Sequence, residues 1–162
     1  MTDKPAPRTL RLYRKLAHFP MGKWLFSRIV CQAAPYFGSI RPRFLSLAPG
    51  RAEVAMKNRR RVRNHIGTVH AIAMCNLCEL AAGTMTDASM LPGMRWIPKS
   101  MQVEYLAKAG TDLVASARLT EPLQAGESYE LPVTAEVRDT TGRIVLRAVI
   151  TMWISPGKPL NT

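Results

Sequence analysis

The stretch RNHIGTVHAIAMCNLCEL, Arg63 to Leu80, gathers the residues best suited to chemistry. Glu79 is the single carboxylate in an otherwise apolar run. Burying an unpaired carboxylate costs several kcal/mol or raises its pKa, and a raised pKa suits general-base work. A structural pairing with one of the many arginines is the competing reading. His70 and Ala71 fall where a helix should begin, and N–H groups in a first helical turn lack intrahelical partners and sit at the positive end of the dipole. Such an amide can stabilise negative charge developing on a carbonyl oxygen. Asn64 and Gly67 precede it in a loop. An Asn there can equally make a turn, a Gly can turn the chain sharply, and a His can simply start a helix. CNLC, Cys75 to Cys78, lacks the second Cys pair that structural zinc would need and reads as helix packing.

These residues require a helix to carry them. Thr68 is placed to cap one running to about Thr86, apolar nearly all round, as in a helix enclosed by other structure. Ahead of it, RTLRLYRKLAHF and MGKWLFSRIVCQAAPYF show apolar residues at helical spacing, and Pro35 stops the second. Ile40–Leu47 and Arg51–Met56 alternate as strands around a Pro49-Gly50 break. MQVEYLAKA, LVASARLT, ESYELPVTAEVRD and RIVLRAVITMWI read as four more strands, with tight turns at Ala109-Gly110-Thr111 and Asp139-Thr140-Thr141-Gly142. Val133, Ala135 and Val137 share one face, and Thr134, Glu136 and Arg138 share the other. Two strands, a buried helix and an antiparallel meander make an α+β architecture in which the sheet wraps the helix.

The pattern Asn64-x-x-Gly67-x-x-His70-Ala71, with Glu79 eight residues after Ala71, resembles the active-site segment of hotdog-fold acyl-CoA thioesterases of the phenylacetate-pathway and 4-hydroxybenzoyl-CoA types. The likeness covers residues 38 to 155, leaving 1–37 as an N-terminal helical extension and 38–162 as the hotdog domain. It implies that Glu79 is the general base or nucleophile, that the Ala71 N–H is the oxyanion donor, and that Asn64 helps to hold the attacking water or the carbonyl. It implies a site across a subunit interface, in a homodimer or homotetramer, and a coenzyme A thioester as substrate rather than a resident cofactor. One departure stands out: the family's His-Gly-Gly is His70-Ala71-Ile72 here, which narrows the approach to the backbone. A non-catalytic acyl-CoA or acyl-carrier-protein binder is therefore the alternative. Thr84 and Ser100 are nearby hydroxyls with no firm role.

The chain carries 23 Lys and Arg against 11 acids, a formal charge of +12, which attracts polyanions. Arg59, Arg60, Arg61 and Arg63 lie just ahead of the candidate site, where guanidinium forks would meet the phosphates of coenzyme A. Solvated surface charge is the bland alternative. Arg95, Lys99 and Lys108 are weaker phosphate candidates. No recognition motif accompanies the charge, so nucleic acid is not the expected partner. The basic, aromatic N-terminal helices admit a peripheral membrane contact, but packing over the sheet or a partner subunit is the favoured use. Three cysteines and no apolar signal core point to a cytoplasmic protein.

Overall fold

The computed structural model describes residues 6–157. Helix α1, Arg8–Ala17, opens after Pro7, whose fixed φ suits the start of a helix, and buries Leu10 and Tyr13 on one face. Helix α2, Gly22–Ala33, follows a four-residue reversal, and Gly22 is required there: a Cβ would stand 1.7 Å from the Leu16 carbonyl oxygen. Phe26 of α2 is completely buried, edge-on to Tyr13 at 5.1 Å and to Phe44 of the first strand at 5.0 Å. The Ser27 hydroxyl accepts the Phe44 N–H at 2.9 Å, so both helices are fastened to the sheet rather than hung from it.

Strands β1, Arg43–Ala48, and β2, Arg51–Met56, form a hairpin about Gly50. The central helix α3, Ala71–Ser89, comes next, then β3, Met94–Tyr105; β4, Leu113–Leu119; β5, Tyr129–Arg138; and β6, Ile144–Pro156. All six strands join one antiparallel sheet in the order β1-β2-β4-β5-β6-β3. Its concave face packs on α3: Ala115, Ala117, Val133, Ala135 and Val137 are buried, facing a helix whose Leu77, Ala81, Ala82 and Met85 are equally so. The small side chains on both surfaces let helix and sheet approach closely. This is the α+β arrangement expected, and the alternation at Val133, Ala135 and Val137 points as it should.

Three expectations are corrected. The Ala109-Gly110-Thr111 segment does not join neighbouring strands, because β3 pairs with β6 at the sheet edge while β4 pairs with β2 and β5. Instead Ala109 is buried and its carbonyl accepts the Val69 N–H at 2.8 Å, bracing the loop before α3. Thr68 does not cap α3; His70 does, its Nδ1 accepting the Ile72 N–H at 3.1 Å. Nor is α3 enclosed all round, since Ile72 and Glu79 are exposed and Ala71, Ala73 and Cys75 are half-buried along the same helix. The β5–β6 turn is as expected: the Asp139 carboxylate accepts both the Thr141 and Arg143 N–H groups, and Gly142 supplies φ +85°.

Candidate active site

Val62 anchors the basic segment: its side chain is buried and its carbonyl accepts the His70 N–H at 2.7 Å. The 3-10 turn Arg60–Val62 is thereby held against the N-terminus of α3. Arg59 reaches back to the Ser39 carbonyl at 2.6 Å, and its Nε is buried without a partner. Burial, and then the neighbouring Arg41 and Arg61, push its guanidinium below the ordinary arginine range. Arg63 donates to Asn58 Oδ1 at 2.8 Å. Arg60 and Arg61 are exposed and make no salt bridge among the described residues. Several positive charges thus stand at the positive end of a helix, an arrangement suited to an anion.

Arg61, Arg63 and His70 line one cavity of about 340 Å³ together with Tyr36, Ser39 and Asn76. Asn76 was not among the residues the sequence singled out. It is only 5% exposed, its Nδ2 donates to the Ser39 hydroxyl at 3.2 Å, and its Oδ1 has no partner. A buried unsatisfied acceptor is costly, so this oxygen is poised for a donor from outside the chain. The available signal was an amide in an apolar helix, three residues before Glu79.

Asn64 is occupied elsewhere. Its Oδ1 accepts the Ile66 and Thr68 N–H groups and its Nδ2 donates to the Thr68 hydroxyl at 2.9 Å, so within one chain it closes a loop. Gly67 sits in that loop at φ +83°, with nothing within 4 Å of an added Cβ; the requirement for glycine is conformational. The Ala71 N–H makes no hydrogen bond within the described residues, whereas that of Ile72 is taken by His70.

Glu79 is exposed, which overturns the expectation of a carboxylate enclosed by apolar groups: the α3 face that carries it looks outward from the single chain. Nor does it pair with an arginine or lysine among the described residues. It stands instead where two cavities meet. One, of about 540 Å³, lies between α1, α2 and α3 and includes Thr84; the other, of about 180 Å³, lies against β3 beside Ser100, where the β3–β6 register shifts. The structure therefore brings Glu79 near both hydroxyls considered from the sequence. It separates Glu79 from the helix start, because eight residues of helix span about 12 Å. One carbonyl cannot touch both within a chain.

Of the other basic candidates, Lys99 lines the smaller cavity beside Glu79, whereas Arg95 and Lys108 line neither cavity at that carboxylate. Arg95 donates to the Ser155 hydroxyl, Lys99 pairs with Glu130 and lies 5.6 Å from the Trp153 ring, and Lys108 is exposed. Cys78 is buried, and burial followed by the nearby Cys75 thiol pushes its pKa well up. No helix among the described residues is long and apolar enough to cross a membrane.

A family model described as a domain of unknown function, DUF4442, matches residues 22–154. No curated protein matches the chain. Among solved structures, the structural-genomics protein APC5556 is 46% identical, with TM-score 0.79 over 92% of this chain and 99% of that one. A thioesterase family protein from Silicibacter pomeroyi is 21% identical, with TM-score 0.69 over 81% of this chain and 96% of its own. A probable thioesterase from Pseudomonas aeruginosa is 20% identical, with TM-score 0.71 over 85% and 97%. The shared architecture is the hotdog fold, the sheet wrapped about α3 with helices added at the N-terminus.

Proposed function

This chain belongs to the DUF4442 family, and from that membership and its hotdog fold we propose that it hydrolyses an acyl-CoA thioester. The observation that carries the reading is the Glu79 carboxylate, without an ion-pair partner among the described residues, at the junction of two cavities on the outward strip of α3. In the proposed reaction Glu79 takes a proton from water as the water oxygen bonds to the thioester carbon. The carbonyl oxygen gains the negative charge and is held by the Ala71 N–H of a second copy of the chain, the roughly 12 Å between the two residues requiring that copy. Collapse breaks the C–S bond, and the proton on Glu79 passes to the departing sulfur, leaving a free acid and the CoA thiol.

Arg59, Arg60, Arg61 and Arg63 then face the phosphates of coenzyme A, and the free Asn76 oxygen accepts an N–H or O–H from the arm between phosphate and sulfur. Because Glu79 is solvated in one chain, a partner subunit and the substrate supply the drier surroundings that favour proton transfer. The three free cysteines, Cys31, Cys75 and Cys78, fit a cytoplasmic setting. Asn64, being tied to Thr68, acts in this reading by holding the loop that aims His70 and Ala71.

A second reading, acyl-CoA or acyl-carrier-protein binding without turnover, is favoured by Ile72, a bulky side chain 54% exposed on the first turn of α3. Thiol release from purified protein, measured over a panel of acyl-CoAs, separates the two. Hydrolysis by the wild type and a fall of about 10²–10⁴ in turnover for Glu79→Gln support the hydrolase. Full activity in Glu79→Gln removes the residue from the mechanism, and binding with no hydrolysis by the wild type establishes the second reading.

A further inference from the structure

The larger cavity at Glu79 is walled mainly by hydrocarbon, Leu12 from α1 and Ile29, Val30 and Ala33 from α2, with Arg8 and Thr9 on its α1 side. It extends along α3 from Glu79 to Asp87, eight residues or about 12 Å. Its far end is closed by a polar corner whose groups satisfy one another. Thr9 donates to one Asp87 carboxylate oxygen, and the Trp96 indole N–H donates to the other at 3.3 Å. That carboxylate keeps its charge while hydrogen-bonded, and the exposed Arg8 lines the same cavity, so the apolar depth ends at a charged corner. The Trp96 ring forms the remaining wall because residue 83 is glycine; a Cβ there would stand 2.8 Å from the indole edge.

A cavity of about 540 Å³ is of the size that holds small-molecule ligands, and this one has its reactive carboxylate at the rim and its apolar depth behind. With C–C bonds of about 1.5 Å in a zigzag, 12 Å accommodates an extended chain on the order of ten carbons. A single aromatic ring would leave most of that length unfilled, and unfilled apolar space forfeits contacts. We infer that this chamber, roofed by α1 and α2, is the acyl site, and that the acyl group is a straight aliphatic chain of medium length. The inference rests on Glu79 being the group that faces the thioester. The N-terminal helices then supply most of the surface that reads chain length.

Calorimetric titration with two non-hydrolysable thioethers, S-ethyl-CoA and S-decyl-CoA, tests this apart from catalysis. Decyl carries eight more methylenes than ethyl, and each one buried contributes about 0.8 kcal/mol, about fourfold in affinity, so burial of only half of them already makes the decyl ligand more than about a hundredfold tighter. Ala33→Trp, at the exposed rim of the chamber on α2, should collapse that ratio below about tenfold. Leu12→Trp, from the α1 wall, should do the same and guards against a folding defect in the first variant. Equal affinity of the wild type for both ligands overturns the inference. So does a decyl preference that survives both tryptophans, since the chain would then lie elsewhere. A decyl preference in a protein that hydrolyses no thioester supports the chamber while refuting the hydrolase; failure to bind either ligand refutes both.

Discussion

If Glu79 and the Ala71 N–H serve one carbonyl, they come from different subunits, and two inactive variants should repair each other. Ala71→Pro deletes the N–H and nothing else of consequence. Ala71 is the first residue of α3, where proline is tolerated, and its N–H has no partner to lose. His70 already holds φ −65° and ψ 138°, the conformation that a residue before proline prefers. Loss of one oxyanion donor should lower turnover by about 10²–10³, with the fold intact by circular dichroism. Glu79→Gln is inactive for the other reason. In a heterodimer of the two, one site combines the intact Glu79 of the proline chain with the intact Ala71 of the glutamine chain, and the second site lacks both. Random assortment makes half the dimers mixed, each with one working site of two, so an equimolar co-expressed pool should recover about one quarter of wild-type thiol release. Dimers isolated with two different affinity tags should show about one half. A pool no more active than the sum of its parents refutes the shared site. Full activity of Ala71→Pro refutes the oxyanion assignment.

Phe26→Ala removes a completely buried ring that touches both Tyr13 and Phe44, and should cost about 3–5 kcal/mol in urea unfolding; a loss under about 1 kcal/mol would mean that α2 is loosely held. In native protein at pH 8, the half-buried Cys31, its thiol pushed up by burial, should react slowly with a thiol reagent while Cys78, buried and with its pKa raised, labels only after unfolding, as peptide mass spectrometry would show. The Asp139 carboxyl is held below its ordinary 3.8, first by the Thr141 hydroxyl and then by the Thr141 and Arg143 N–H groups. A depressed folded pKa stabilises the fold above the unfolded value and ceases to do so as pH falls through the folded one. Asp139→Asn should therefore destabilise more at pH 7 than at pH 2 in paired denaturation curves, and an equal loss at both would contradict the assignment.

The elements were legible wherever one face had to be buried. The alternation at Val133, Ala135 and Val137 places a strand face because burial on one side leaves a period of two, while the unbroken length and the Ala, Leu and Met content of the run around Leu77 to Met85 place a helix without any period. Strand partners leave no such mark: β3 begins at Met94, seven residues ahead of the expected MQVEYLAKA, and nothing in it states that β6 rather than β4 lies alongside. At the site, the helix start was legible from Asn64, Gly67 and His70, although the cap itself is His70 rather than Thr68. The exposure of Glu79 was not, since flanking alanines, leucines and cysteines resemble a buried surface whether they meet this sheet, a cavity or solvent. Asn76 escaped notice because an isolated amide in an apolar helix gains meaning only when its unpaired oxygen is seen against Ser39 and the arginines.

The edge-to-face chain Tyr13–Phe26–Phe44 bears on how the N-terminal helices can be studied. Truncating the gene to begin at residue 38 would strip Phe44 of its covering and open the inner sheet surface to water, so lost activity, lost lipid binding and aggregation would all arrive together and mean the same thing. Point changes on the solvent side of those helices, at Trp24 or Leu25, leave that seam closed. They are the manipulations whose outcomes can be read as function rather than as damage.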